Sequence, residues 1–400
     1  LWLGVFFCST AYSIVIPFLP LFLRNELGIT NHLETWSGFV FGITFLASSL
    51  IAPFWGSLAD KYGRKPMLLR SGLSLAVLYF ITYFVNNPYE LIIIRIFQGL
   101  LAGYVPSAIA MVGTNTPENK VGYALGVMAT SGAVGSIVGP LVGGAVSRWV
   151  GNREAFLVSG FVVLFAFFIA WIWAKEENFK RTTQRVSVLD SLKEMGHNRL
   201  FMNVLGLVAV VSTSVMLLEP LLTLYVIDLG VSQTEAPLTA GIIFSAVGIA
   251  TALASPRWGK LGTKLGYGKM LFIGLLGGGI GNLLQLAFHH YVGFGILRFG
   301  YGLFFAAVYP SLNALIVKLT EPSFRGRAFG LNQSANQLGI MIGPMLGGFL
   351  GHALSIPVVF ALNGIALVSI AFVVRAKRLD DAVERLHEVP AVKPVPEAGK

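Results

Sequence analysis

Pro53-Phe54-Trp55-Gly56-Ser57-Leu58-Ala59-Asp60-Lys61-Tyr62-Gly63-Arg64-Lys65 is followed, 203 residues later, by Pro256-Arg257-Trp258-Gly259-Lys260-Leu261-Gly262-Thr263-Lys264-Leu265-Gly266-Tyr267-Gly268. Pro53, Trp55, Gly56, Leu58, Lys61 and Gly63 all recur in register. The same offset carries Pro17 onto Pro220, and Arg95 and Gly99 onto Arg298 and Gly302. With one residue inserted, Gly122, Ala124 and Gly126 fall on Gly326, Ala328 and Gly330; Gly135, Gly139, Pro140, Gly143 and Gly144 fall on Gly339, Gly343, Pro344, Gly347 and Gly348. Self-similarity at one long period means that the chain is two copies of a single unit.

Composition says what solvent that unit meets. Of 400 residues, 55% are apolar and only 12% charged, and the mean hydropathy is +0.72; a soluble domain carries about 25% charged residues. A bilayer core of about 30 Å needs about 20 helical residues to cross. Runs of that kind occupy 1–23, 36–58, 67–85, 89–112, 121–146, 155–174, 200–227, 238–258, 269–288, 291–317, 326–351 and 354–374, so twelve membrane spans are expected. The first run has no basic leader and no small-residue cleavage site, and Arg24 follows it directly; it reads as a span whose preceding residues, the start Met among them, are missing. The 46 glycines suit close packing of membrane helices. A single Cys8 excludes a disulfide framework or a cysteine-rich metal site.

The net charge of +10 could point to nucleic acid, but the basic residues sort by loop. Alternate loops hold 24 of the 29 Lys and Arg residues, the other loops hold only Arg24, Arg148 and Arg153, and Arg95 and Arg298 lie within spans. Lys and Arg are retained on the cytoplasmic side. Both termini are therefore expected in the cytoplasm, and the charge is accounted for by the lipid bilayer, with no nucleic-acid partner. Residues 1–174 and 200–374 read as two six-helix bundles. The linker 175–199 between them contains a short amphipathic helix, with Ser187 and Asp190 as a capping box before Val188, Leu189, Leu192 and Met195. Residues 375–400 read as a cytoplasmic tail, disordered from Val389. Because each unit has an even number of spans, the two share one orientation, and parallel repeats of this kind place a substrate site between them near the midplane.

Gly56-Ser-Leu-Ala-Asp60-Lys-Tyr-Gly63-Arg64-Lys65 resembles the loop motif between spans 2 and 3 of the major facilitator superfamily. Arg95-Ile-Phe-Gln98-Gly99 is similar to its span 4 motif. Gly135-x-x-x-Gly139-Pro140-x-x-Gly143-Gly144 resembles the span 5 motif of its drug:proton antiporters, and Pro17-x-x-Pro20 the end of their span 1 motif. The resemblance covers essentially the whole chain. It implies an all-α major facilitator fold, monomeric, in a bacterial inner or plasma membrane, exporting amphipathic drugs or antibiotics in exchange for protons.

Several residues become candidates on that basis. Asp60, among the cations of the loop motif, is expected to latch the cytoplasmic side in one state, with Gly63 turning the chain and Arg64 and Lys65 meeting headgroups; topogenic charge alone is the alternative. The second copy has Thr263, Tyr267 and Gly268 at the matching positions, which weakens the case for a second latch. The resemblance implies proton coupling for Arg95; a snorkelling arginine is the other reading, and it applies to Arg298 as well. Pro140 and Pro344 remove backbone donors and are expected to bend their helices, and the glycines beside them to form a seam between the halves; a specific anti-leak role is the other reading. Glu219 is the one acid well inside a span, and an intramembrane carboxylate is a functional position by default. It would bind the coupling proton or a cationic substrate, or else rest in a polar pocket. The cavity is expected to draw on Tyr12, Phe18, Phe41, Gln98, Tyr104, Met216, Tyr225, Tyr301, Tyr309, Asn313, Asn332, Gln333, Asn336 and Gln337.

No nucleotide-binding loop, metal-ligand pair or hydrolytic triad appears, so no enzyme activity, cofactor or ATP-driven step is expected. A proton-linked or facilitative transporter of a sugar or other small nutrient would show more charged or hydrogen-bonding positions mid-span. A non-transporting receptor or scaffold would carry a sizeable soluble domain. Proton-driven export is the leading reading.

Overall fold

The computed structural model describes residues 1–176, 193, 195, 196, 198–321, 324–377 and 379–381. The capped linker helix expected from Ser187 and the tail from Val389 lie outside the described residues. Among those described, the chain forms twelve helical segments. They are α1 (Trp2–Ile14 with Leu19–Asn25), α2 (Leu33–Tyr62), α3 (Arg64–Thr82), α4 (Pro88–Leu101 with Tyr104–Asn115), α5 (Glu118–Trp149) and α6 (Asn152–Trp173) in the first half. In the second half they are α7 (Arg199–Leu218 with Leu222–Asp228), α8 (Ala236–Leu265), α9 (Tyr267–Leu284), α10 (Tyr291–Phe305 with Val308–Lys318), α11 (Arg325–Leu354) and α12 (Ile356–Ala376).

Ten of these are long and apolar enough to cross a membrane, and α1, bent by 41° between its two pieces, makes the eleventh. The remaining segment, α3, is 19 residues long and carries Arg64, Lys65 and Arg70 in its first two turns, so its apolar stretch is the shortest in charge-free length. The helix ends lie within four residues of the expected span ends except at α8, which runs to Leu265, seven residues past the expected end at 258. Four breaks, in α1, α4, α7 and α10, were not expected. In α4 the helix stops at Leu101 and restarts at Tyr104, where Gly103 takes φ +138°. Trp55 Nε1 donates to the Leu100 carbonyl at 2.6 Å and Arg70 Nη2 to that of Ala102 at 3.2 Å, so side chains satisfy acceptors that the break leaves open. In the second copy Trp258 Nε1 donates to Leu303 at 2.7 Å, beside the corresponding break in α10.

The halves pack alike. Within each, α1 lies on α5 as α7 lies on α11, α3 on α6 as α9 on α12, and α2 on α4 as α8 on α10. Between halves, α2 packs on α11 and α5 on α8. These crossings are tight at the end of the molecule away from the 175–199 linker, called here the far end. A Cβ added at Gly38 would lie 2.9 Å from Gly348 Cα, and one at Gly144 would lie 2.8 Å from Leu238 Cα. Ser245 Oγ donates across the seam to Ile137 at 2.5 Å, and Thr223 Oγ1 to Pro17 at 2.8 Å. Toward the linker end the same four helices part. Positions 56, 126, 259 and 330, all glycine, have nothing within 4 Å of a Cβ, and Phe54, Tyr123, Leu261 and Phe329 are exposed. The structure is sealed at the far end and open at the linker end.

The glycine motifs do less at the seam than their sequence suggests. Gly135, Gly139 and Gly143 face α1 inside their own half, where a Cβ at Gly135 would lie 2.7 Å from the Phe6 carbonyl. Gly339, Gly343 and Gly347 face α7 in the same way. Only the last glycine of each motif, Gly144 and Gly348, reaches the other half. Small residues spaced four apart lie on one helix face, so most of the motif is committed to one neighbour.

Candidate functional site

Glu219 sits where α7 breaks. Pro220 has no N–H to continue the helix, and residues Glu219–Leu221 form a single 3-10 turn. The break places the carboxylate at the level where the two halves meet, and among the described residues it has no hydrogen-bond or ion-pair partner. Across the interface, the Tyr12 hydroxyl of α1 lies within electrostatic reach of both Glu219 and Arg95. Tyr12 and Arg95 belong to the first half and Glu219 to the second, so Tyr12 is the group that senses both, and Arg95 is also within reach of Tyr79.

Arg95 is 3% exposed and Arg298 7%, so neither snorkels to water. Arg95 Nη1 donates to Gln98 Oε1 at 3.1 Å, while Arg95 Nε and Nη2 and Gln98 Nε2 have no partner among the described residues. Arg298 Nε and Nη1 are likewise unpartnered, and its guanidinium lies 4.9 Å from the Tyr301 ring centre and 6.0 Å from that of Phe360. Buried donors without acceptors are costly, and a guanidinium kept in that state is available to a carboxylate, a ligand or water.

The second half contributes an uncharged polar ladder. Ser212 Oγ donates to Asn336 Oδ1 at 2.6 Å and is 3.4 Å from the Tyr309 hydroxyl, and Asn332 Nδ2 donates to Asn313 Oδ1 at 3.1 Å. Tyr309, Asn313, Asn332 and Asn336 are thus brought together between α7, α10 and α11, with Met216 beside them against Gly343. Gln333 is exposed and Gln337 half-buried on α11, and Phe41 is buried in the far-end core. Three aromatic candidates lie inside their own halves. Phe18 packs edge-on to Phe156 at 5.1 Å, the Tyr104 hydroxyl donates to Ala166 at 2.8 Å, and Tyr225 packs against Phe294 and Phe360 at 5.0 Å each. Tyr301 stacks on Phe305 at 5.0 Å and lines an apolar groove of about 340 Å³ between α9 and α10.

The Gly63 turn of the loop motif is held by a residue that the motif does not contain. Glu176, directly after α6, accepts from the backbone N–H of Arg64 at 2.8 Å and of Lys65 at 2.9 Å, capping α3. Arg64 Nη1 reaches the Ala110 carbonyl at 2.9 Å. The Asp60 side chain lies outside the described part of the structure. In the second copy Asp380, after α12, accepts from Gly268 N at 2.8 Å and Lys269 N at 3.1 Å, so the corner that lacks an acid in its own loop receives one from the end of the bundle. Glu176 and Asp380 are 204 residues apart, a repeat signal that self-comparison extended past the spans would have found. Ser212 and the Ser214–Asn363 pair, with Ser214 Oγ donating to Asn363 Oδ1 at 2.5 Å, carry no comparable signal.

Comparison with known proteins agrees with this architecture. A family model for the Major Facilitator Superfamily matches residues 1–240 and 218–397. The chain is 37% identical over 354 residues to the multidrug resistance protein MdtG of Proteus mirabilis (strain HI4320), covering 87% of each. It is 35% identical over 382 residues to that of Escherichia coli (strain 55989 / EAEC), covering 93% of this chain and 92% of the relative. Among solved structures it superposes on the nucleoside transporter NupG with a TM-score of 0.75 at 14% identity, covering 94% of this chain and 98% of that one. It also superposes on a bacterial homologue of the human lysosomal transporter Spinster, inward-facing and unoccupied, with a TM-score of 0.76 at 14% identity, covering 96% and 97%. The chain belongs to the Major Facilitator Superfamily.

Proposed function

We propose that this protein is a monomeric secondary transporter of a bacterial inner membrane, with both termini cytoplasmic, that exports amphipathic small molecules in exchange for protons. The observation that carries the reading is the polar centre of Glu219, Tyr12 and Arg95 at the meeting of the halves, below a sealed far end and above an open linker end. With the cation-rich linker end in the cytoplasm, the structure is the cargo-loading state. Amphipathic cargo enters between the parted helices and meets exposed aromatic rings and the Tyr309, Asn313, Asn332 and Asn336 ladder.

Glu219 exchanges a proton for the cargo, because one carboxylate cannot hold a proton and neutralise a cation at once. Arg95 stays as the fixed charge across the interface, and Tyr12 is within electrostatic reach of both. Closure of the linker end would bring the Asp60 loop of one half to the other and complete the cycle. The relatives named as multidrug resistance proteins support drug export over nutrient uptake. Efflux of a dye panel from energised vesicles, with and without a proton gradient, is the test. Dye movement driven by the gradient is expected; accumulation that ignores the gradient would refute exchange.

A further inference from the structure

The far-end seal is built from two corners that occupy matching places in the two copies and differ in chemistry. At one corner Glu235, the N-cap of α8, meets Arg148 in the last turn of α5 with Nη2 and Oε1 2.6 Å apart. At the other, His32, the N-cap of α2, meets His352 in the last turn of α11, their ring centres 4.1 Å apart. Position 32 matches 235 and position 352 matches 148 in the repeat. Each corner joins one half to the other, and where one uses an ion pair whose charge is fixed around neutral pH, the other uses two imidazoles.

From this we infer that the His32–His352 corner is a proton-sensitive latch, shut at neutral pH and opened when both rings are protonated. Imidazole changes charge between about pH 5 and 8. Neutral rings can pack in the tilted contact seen here, with 58° between their planes, whereas two imidazolium rings repel. The charged groups shown facing the pair are few. Glu34 of α2 lies 3.9 Å from His352 Nδ1 through Oε2, and Asp228 at the end of α7 is within electrostatic reach of Glu34; Arg153 is engaged with Glu26 at 2.9 Å. Glu34 thus offers His352 an acceptor in a contact that also crosses the halves. Among the described residues His32 has no acid beside it, so charge on both rings opposes closure.

The backbone supports a switch at this corner. Among the described residues, only His32 and Ser355 are non-glycine residues at positive φ, at +57° and +83°. His32 begins α2, and Ser355 follows α11 three residues after His352. Strained backbone of this kind persists where surrounding contacts over-determine it, and it concentrates at switch regions. The proposal rests on the function read above only in calling the far face external, where acid would open the side from which protons load.

The test does not depend on orientation. Thr30→Cys and Gln233→Cys, both exposed in far-end loops of opposite halves, carry spin labels in protein reconstituted in nanodiscs, where both faces see one pH; Cys8 is buried. Both rings are exposed, and the distance distribution is expected to be short at pH 8 and to gain a longer component at pH 5.5, the open fraction relative to closed rising by up to about fivefold. In the His32→Gln, His352→Gln double variant the pH response is lost. In the His32→Glu, His352→Arg double variant, which copies the other corner, the short distance persists at both values. Glu34→Gln moves the transition to higher pH. A short distance at pH 8 in every variant shows that the fold is kept. A wild-type distance that ignores pH, or a response unchanged in the double glutamine variant, overturns the latch, and dye efflux measured separately leaves the exchanger reading to stand or fall by itself.

Discussion

Gly348→Val tests whether the glycine seam sets the conformation. A Cβ at Gly348 would lie 3.0 Å from Gly38 Cα and 3.1 Å from the Glu34 carbonyl carbon, with the Glu34 carbonyl oxygen closer still. All three are backbone atoms of α2, so no side-chain rotation relieves the contact. Overpacking of this type costs about 1 to 3 kcal/mol, and here it falls only on the state in which the far end is sealed. At about 1.4 kcal/mol per factor of ten, the balance should move toward far-end opening by roughly 5- to 150-fold. The label pair at positions 30 and 233 reads that shift directly at pH 8. Gly330→Val is the control, since nothing lies within 4 Å of its Cβ at the open end, and it should leave the far-end distance unchanged. An unaltered distance in Gly348→Val, in protein of normal abundance, would show that close approach of α2 and α11 does not determine which end is shut.

Glu219→Gln should abolish gradient-driven efflux of monovalent cations while sparing the binding of neutral substrates; export of a cation against its gradient with unchanged pH dependence would make the carboxylate structural. Arg95→Met should raise thermal stability while transport falls, because a guanidinium held in hydrocarbon costs about 2.5 to 3.5 kcal/mol; a lower melting temperature would mean that Arg95 is held for packing. Glu176→Ala should remove an N-cap worth about 0.5 to 2 kcal/mol, speeding amide exchange at Arg64 and Lys65 by roughly 2- to 30-fold, and Asp380→Ala should do the same at Gly268 and Lys269; native protection in both would show that the caps are dispensable. Asp60→Asn should impair turnover at normal membrane abundance, and wild-type turnover would leave the loop motif as a topology signal.

Much of this was legible from the chain alone, for a physical reason. Insertion into a bilayer depends on about 20 consecutive residues at a time, so span positions and their ends follow from local hydropathy, and duplication is visible wherever both copies keep a residue, as at Trp55 and Trp258. The family resemblance rests on such local runs, and so does the choice of Glu219, an acid in an apolar stretch. Which neighbour a helix face meets is a property of two segments far apart in the chain. For that reason the sequence could not tell that Gly135, Gly139 and Gly143 serve α1 while Gly144 alone in that motif reaches the other half. Nor could it tell that Phe18, Tyr104 and Tyr225 are committed to their own halves, or that Arg95 and Arg298 are buried without full partners. The pairing of His32 with His352 joins residues 320 apart and in opposite halves. The conformational state itself was beyond sequence reading, because both states of a transporter are built from the same residues and differ only in which interhelical contacts are made.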